Sequence, residues 1–504
     1  MWESFLSPPI YPFLILLLFF NIHGFSANYV FFYTLLALII VNLKKQAYIC
    51  LKFIPYLYPI AMLFDRNLYA DLVKWKNGPY RKPLILQGAR QTGKTSLIRH
   101  FGKTQFAETA YFNFEERPEL GQIFRQTKQV ERLLHNLSII YGKKIDATQT
   151  LIVFDEIQEC EEALNSLKYF SENAPEHAII AAGSLLGISL GTSKSFPVGK
   201  VEFLQLYPLT FHEFLRSKNV RLYDYAQSIS TPFEPLLDGI FDEFVDNFKA
   251  YMICGGMPEP ALRMVETMDM SEIEKSLRQI QGAYALDFSK HAEKTEAIRI
   301  KYVWDAIPSQ LARENKKFIY QAVRQGARAR EYENALVWLE QAGLVYRVQL
   351  CKKPEFPISF YSDLSAFKIY LLDIGLLRLQ SKLDPLVFKE GNRLFTEFKG
   401  ALSENYVLQS LTAQFESPLS YWTSDSMAEV DFLLQYRDKI IPVEVKSGEN
   451  VRSKSLAYYS NQYAPVMKIR YSLKNLEYND GLLNIPIFLA DHTRRFVNLV
   501  LDGG

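Results

Sequence analysis

Between Arg81 and Thr95 the chain reads RKPLILQGARQTGKT. An apolar run at Leu84–Leu86 gives way to Gly88, four further residues, and then Gly93-Lys94-Thr95, with a helical pattern from Ser96. The two glycines let main-chain N–H groups curl into an anion-binding nest, and the N-terminus of the following helix adds its dipole. This is a complete Walker A pattern in the strand–loop–helix setting it requires. It predicts a cradle for ATP, with Lys94 reaching the β- and γ-phosphates and Thr95 ligating Mg²⁺.

A second half lies downstream in LIVFDEIQ, Leu151–Gln158. Four apolar residues predict a buried parallel strand, and Asp155 closes it where a Walker B carboxylate holds the metal. Glu156 is placed to polarise an attacking water as general base. A third strand, Ala178–Ala182, ends in Gly183-Ser184. Ser184 reads either as a sensor of the γ-phosphate and water or as a turn or cap residue. Strands alternating with helices imply an α/β fold: a P-loop NTPase core on a parallel sheet, its site at the strand C-termini.

At 504 residues the chain exceeds one domain, since single cores stop growing near roughly 250 to 300 residues. A 48% hydrophobic and 22% charged composition is globular. The net charge of +2 excludes an overall basic field for nucleic acid and leaves only local patches. Four separated cysteines (Cys50, Cys160, Cys254, Cys351) exclude a disulfide scaffold or zinc site and fit a reducing cytoplasm. No HExxH or GxSxG pattern supports a metalloprotease or serine hydrolase.

Residues 1–61 stand apart, with Glu3 as sole acid and Lys44, Lys45 and Lys52 as sole lysines or arginines. The run NYVFFYTLLALIIVNL falls just short of the roughly 20 residues of a membrane span, and Lys44-Lys45 would face the cytoplasm. Two readings stay open: an inner-membrane anchor carrying cytoplasmic domains, or a mis-assigned start with Met62 opening the working protein.

Downstream, residues 222–299 read as amphipathic helices interrupted by Gly255-Gly256-Met257-Pro258, a turn whose role is structural. Residues 300–352 read as a winged helix: helices over Tyr302–Arg313, Lys317–Arg324 and Tyr332–Gln341, then a strand after Gly343. Arg324, Arg328 and Arg330 suit DNA phosphates, whereas Glu333 and Glu340 would repel them. DNA binding and a protein-packing role both remain.

Within 353–504, Glu397–Leu411 is predicted helical, followed by strands over Glu429–Leu434 and Ile440–Ser447. Asp431 followed by Glu444-x-Lys446, with Glu404 on the preceding helix, has the spacing of PD-(D/E)xK nuclease-like α/β domains. Alternate residues of a strand share a face, so Glu444 and Lys446 point together toward the neighbouring strand. Three carboxylates there could hold one or two Mg²⁺ ions, with Lys446 orienting water.

GARQTGKTSL, FNFEERPEL, LIVFDEIQ, AAGSLLG and LYPLTFHEF occur here in the order seen in a prokaryotic family of predicted AAA-type ATPases. Those proteins carry a C-terminal domain of unknown function, 4143, similar to the nuclease fold. The resemblance runs from about Met62 to the C-terminus. It implies P-loop roles for Gly88, Gly93, Lys94 and Thr95, Walker B roles for Asp155 and Glu156, and a sensor role for Ser184. One departure is Gly199-Lys200, where many relatives have Gly-Arg, so no arginine finger is assigned there. The domains expected are 1–61, 62–221 (ATPase), 222–299, 300–352 and 353–504. Three functions compete: an ATPase moving its C-terminal module, an ATP-gated DNA nuclease, and an ATP-binding switch acting on a protein partner or a homo-oligomer.

Overall fold

Leu84, Ile85 and Leu86 are fully buried although they are consecutive, which requires a strand covered on both faces. In the computed structural model they form β1 (Leu84–Gln87), in a five-stranded sheet of order β2-β3-β4-β1-β5. Every neighbouring pair in it is parallel. The other strands are β2 (Glu108–Asn113), β3 (Thr150–Asp155), β4 (Ala178–Ala182) and β5 (Glu202–Gln205). Period-two alternation divides them between two cores. Leu84, Leu86, Leu151, Val153 and Ile180 pack on α1 (Leu68–Asn77) and α2 (Lys94–Gln105). Ile85, Ile152, Phe154 and Ile179 face α3 (Val130–Tyr141) and α4 (Glu161–Asn173).

The structure describes residues 64–184, 187, 199–313, 316–385, 399–424, 428–446 and 453–503, all within the unit Met62–Gly504. The hydrophobic stretch of 1–61 lies outside them, as do Leu185-Leu186, Ser447 and the first residues of the helix expected from Glu397. Among the described residues no helix is long and apolar enough to cross a membrane.

After β5 come α5 (Phe211–Lys218), α6 (Asp238–Cys254), α7 (Pro258–Glu266) and α8 (Met270–His291). The Gly255-Gly256 turn joins α6 to α7 because only glycine fits. Gly255 has φ +72°, and a Cβ on Gly256 would lie 2.1 Å from the Leu209 carbonyl oxygen. The Gly256 N–H is donated to Asp373 Oδ2 at 2.6 Å. Asp373 also caps α12 (Ile374–Gln380) by accepting from the Leu376 N–H.

Helices α9 (Lys294–Leu311), α10 (Tyr320–Val323) and α11 (Ala329–Gln341) lead into the antiparallel pair β6 (Val345–Cys351) and β7 (Ser362–Leu371). The helix expected over Lys317–Arg324 forms only at Tyr320–Val323. Upstream of it Phe318 donates its N–H to Phe367 of β7, an extended pairing that competes with a helical one. Next come α13 (Lys399–Gln414), β8 (Ser420–Thr423), β9 (Glu429–Tyr436) and β10 (Lys439–Val445). The chain ends with α14 (Lys454–Tyr463), β11 (Lys468–Ser472), β12 (Glu477–Asn479), β13 (Leu482–Pro486) and α15 (Thr493–Asp502).

These strands make one eight-stranded sheet of order β12-β13-β11-β10-β9-β8-β6-β7. β6 pairs with β7 on one side and in parallel with β8 on the other, through Gln349–Ser420 and Leu350–Tyr421. The boundary expected at 352/353 therefore falls inside a hairpin. One core cluster runs from Leu209 through Phe248, Ile307 and Leu336 to Phe496, crossing the lines drawn at 221/222 and 299/300 as well.

Asp373 gives this junction a pH signature. Burial pushes its carboxyl from 3.8 up to about 6, opposed by the N–H groups it accepts. A raised pKa means the folded state holds the proton more tightly than the unfolded chain. Its contribution is full below about pH 4 and is lost as pH rises through about 6, with an upper bound of about 3 kcal/mol. Asp373→Asn, which keeps an oxygen acceptor, should flatten part of the fall in unfolding free energy across that window, measured by urea denaturation. An unchanged slope would refute this assignment.

Candidate nucleotide site

The loop after β1 takes a shape that depends on its two glycines. Gly88 has φ +153°, and a Cβ there would sit 2.4 Å from the Leu206 carbonyl oxygen. Gly93 has φ +95° and opens α2, and Gln91 adopts φ 66° between them. The loop thus turns its main chain sharply before a helix N-terminus, the arrangement that binds phosphate.

Lys94 is buried, and its ammonium donates to the carbonyls of Gly88 at 2.8 Å and Ala89 at 2.9 Å. It also donates to Ser184 Oγ at 3.3 Å. Burial lowers its pKa to about 8, against the attraction of Glu156 and Asp155. The sheet order explains how Ser184 arrives there. β4 lies between β1 and β3, so the residues just past its end stand between the phosphate loop and Asp155.

Thr95 Oγ1 donates to Asp155 Oδ2 at 3.0 Å. The same carboxylate oxygen accepts from Tyr111 Oη on β2, while Oδ1 accepts from the Glu156 N–H at 3.1 Å. Glu156 has φ +50°, a costly left-handed turn for a non-glycine residue. Its carboxylate accepts from Gln158 Nε2 at 2.6 Å. Gly88, Gly93, Lys94, Thr95, Asp155, Glu156 and Ser184 are thereby brought to one end of the sheet. Mg²⁺ takes one or two protein oxygens and completes its shell with phosphate and water. Thr95 Oγ1 and Asp155 Oδ2, already facing each other, fit that demand.

Family comparison agrees with this geometry. An AAA domain model matches residues 80–215, a domain of unknown function (DUF8612) matches 245–386, and a domain of unknown function (DUF4143) matches 399–489. The chain thus carries an AAA domain followed by DUF4143, in the order its motifs led us to expect. An uncharacterized protein of Haemophilus influenzae is 29% identical over 216 residues, 37% of this chain and 50% of that one. The chain therefore spans about half the length of the curated relative it matches.

Solved structures show fainter likeness. Orc1 of Aeropyrum pernix in complex with DNA is 13% identical, covering 64% of this chain and 92% of that chain at TM-score 0.25. PCH-2 of C. elegans is 15% identical, covering 45% and 71% at 0.27. The Thermotoga maritima RuvB Holliday junction branch migration motor is 14% identical, covering 59% and 93% at 0.27. Scores this low carry no argument about activity or partner.

Around the AAA core, two sequence features find their places. Lys200 pairs with Glu172 at 3.0 Å. It precedes β5, whose Glu202 stands beside Leu84 at the start of β1, so it sits at the sheet end opposite the phosphate loop. It cannot serve as a finger within its own chain. Gly255–Pro258, read as a structural turn, also reaches the loop: Pro258 Cγ is 3.6 Å from where a Gly93 Cβ would be. Tyr111 and Pro258 were not legible as site residues, because each arrives through tertiary packing, whereas Arg90 and Gln158 lie inside the quoted motifs at positions whose residue type the motifs leave open.

Within residues 300–352, Arg324, Arg328 and Arg330 are exposed. Arg347 pairs with Glu333 at 2.7 Å and Glu340 at 2.8 Å, so the two acids are neutralised from behind.

The DUF4143 constellation is less convergent. Glu404 pairs with Lys316 and accepts from Tyr370 Oη at 3.2 Å. Asp431 accepts from the Val445 N–H at 2.8 Å. Its carboxyl is pushed up to about 7 by burial and then by the Glu404 charge, opposed by Lys316 and Lys368. Glu444 pairs with Lys446, as strand alternation predicts, and accepts from Ser453 Oγ. Neighbouring Glu429 holds the fully buried Lys368. Among the described residues no three His, Cys, Asp or Glu side chains come together to hold a metal ion. The three expected carboxylates do not form such a group among these residues: Glu404 is held by Lys316 from a distant segment, Asp431 by the Val445 N–H and Glu444 by Lys446 two residues on.

Glu404 and Lys316 are 4% and 15% exposed, so removing one partner strands a buried charge. Lys316→Ala should cost about 3 kcal/mol, and adding Glu404→Gln should recover most of that loss. Chemical denaturation of the wild type, both single variants and the double variant measures it. Additive losses would show that the pair is not coupled.

Proposed function

We propose that the chain binds ATP in the loop from Gly88 to Thr95 and hydrolyses it with Mg²⁺. The carrying observation is the 3.0 Å contact of Thr95 Oγ1 with Asp155 Oδ2, which sets two oxygen donors beside the phosphate cradle. Lys94 leaves its own loop carbonyls for the β- and γ-phosphates, and Gly88 and Gly93 let the amides follow. Thr95 and Asp155 hold the magnesium, which neutralises phosphate charge when bound. Glu156 accepts the proton of the attacking water, and Ser184, already touching Lys94, orients that water or the γ-phosphate.

The winged-helix reading of 300–352 is supported by the order of three helices followed by a β-hairpin, with Phe318 extended against β7. A cavity of about 460 Å³ is lined by Gly88 and Ser184 of the core and by Gln341, Ala342 and Tyr346 of this segment. That shared wall supports coupling between nucleotide state and the C-terminal half. Arg324, Arg328 and Arg330 make DNA the partner to test first. The order α13-β8-β9-β10-α14-β11 suits a nuclease-like scaffold, while the lysine-paired carboxylates favour a scaffold that does not cleave.

Lys94→Ala should abolish binding of a fluorescent ATP analogue; unchanged affinity would sink the reading. Glu156→Gln should retain binding while turnover falls roughly 100-fold or more, measured as phosphate release with and without DNA. Plasmid incubated with Mg²⁺ or Mn²⁺ should remain intact with wild type. Cleavage lost in a Glu444→Ala, Lys446→Ala double variant would reinstate the nuclease.

A further inference from the structure

Arg90 belongs to the phosphate loop, yet its side chain is spent elsewhere. Its guanidinium pairs with Asp287 on α8 and lies 4.0 Å from Glu115. Asp287 is 5% exposed and Arg90 35%. Arg90 is also one of the charges acting on the Lys94 ammonium, so the guanidinium is within electrostatic reach of the phosphate cradle.

The backbone at this position is fixed separately. Tyr284, one turn before Asp287 on α8, donates its hydroxyl to the Arg90 carbonyl at 2.9 Å. The side chain can therefore change partners while the loop stays anchored. Close to Asp287 on the same helix, Lys290 is engaged with Glu115 at 3.0 Å.

We infer that Asp287 is a competitor for Arg90, holding it until a γ-phosphate draws it away, so that Arg90 is a phosphate-contacting cation supplied by the chain itself. The inference rests on the ATP reading above. A guanidinium pairs bidentately with carboxylate and with phosphate oxygens, and a triphosphate offers more negative charge than one carboxylate. Once Arg90 leaves, Asp287 remains as a buried charge without its main partner, which is unfavourable and loosens α8. Helix α8 would thus register whether the loop holds a triphosphate or a diphosphate.

The signs of two substitutions separate this from a merely structural ion pair. Asp287→Asn, nearly isosteric, releases Arg90 and should tighten ATP about 3- to 10-fold with ADP little changed. Arg90→Ala should weaken ATP about 10-fold, a factor worth about 1.4 kcal/mol, with partial recovery in Arg90→Lys. In the Arg90→Ala background, Asp287→Asn should do nothing further. Titration of fluorescent ATP and ADP analogues into the full chain gives these constants. Hydrogen exchange on the wild type provides a readout without variants, with α8 expected to exchange faster under ATP than under ADP. Equal weakening by both single variants, or an ATP-to-ADP preference that neither moves, overturns the inference while leaving the ATP site standing. A wild type that binds no ATP brings down the site and the inference together.

Discussion

Asp155 Oδ2 accepts two hydroxyls, from Thr95 at the start of α2 and from Tyr111 on β2. Three segments far apart in sequence meet at that atom. Its position depends on β3 being buried on both faces, since a strand so covered cannot slide without exposing Ile152 and Phe154 or Leu151 and Val153. The lateral order then puts β4 between β1 and β3. Ser184 follows from that order rather than from any local preference. The buried Lys94 completes the logic. Among the described residues its ammonium donates to two carbonyls and a hydroxyl and forms no ion pair, so an arriving polyanion meets a cation that is not already neutralised.

Mechanical continuity between the core and the rest has a structural basis in close backbone approaches. A Cβ on Gly187 would meet the Gln341 carbonyl oxygen at 2.1 Å, and one on Gly343 would lie 3.8 Å from the Ala89 nitrogen. The C-terminal end of α11 therefore abuts both the phosphate loop and Gly187. On another side, Asp373 ties the Gly255-Gly256 turn to α12, and Arg378 of α12 donates to the Ile253 carbonyl at 2.9 Å and pairs with Glu274 on α8. Close-packed contacts of this kind transmit displacement because side chains cannot interpenetrate. The phosphate loop is thus packed against α11 and, through Arg90 and Tyr284, against α8.

The nucleotide half was legible because its chemistry is local. Gly88 to Thr95 lie on one loop, and Asp155 closes a run of four apolar residues whose meaning needs no tertiary context. The eight-stranded sheet was not legible. β6 pairs with β8 across the whole stretch from Gln349 to Ser420, and no periodicity announces so distant a partner. The same limit explains the DUF4143 constellation. Alternation correctly brought Lys446 to Glu444, a relation within one strand. It could not reveal that Lys316, upstream of α10, and Lys368, on β7, reach the carboxylates on α13 and β9.

Those lysines set the charge balance of the C-terminal constellation. A metal cradle needs carboxylates whose negative charge is left uncompensated until the cation arrives. Here Glu404, Glu429 and Glu444 each contact an ammonium, and Lys368 is fully buried. A divalent ion at Glu404 or Glu429 would have to displace a largely buried ammonium, stranding a positive charge where solvation is poor. An internal cation thus holds the carboxylates in place at no dependence on metal concentration. Lys316 belongs to the extended segment that pairs with β7, and its partner Glu404 belongs to α13. The charge cluster consequently joins the segment carrying Arg324, Arg328 and Arg330 to the C-terminal sheet, where a metal would have joined only the carboxylates to one another.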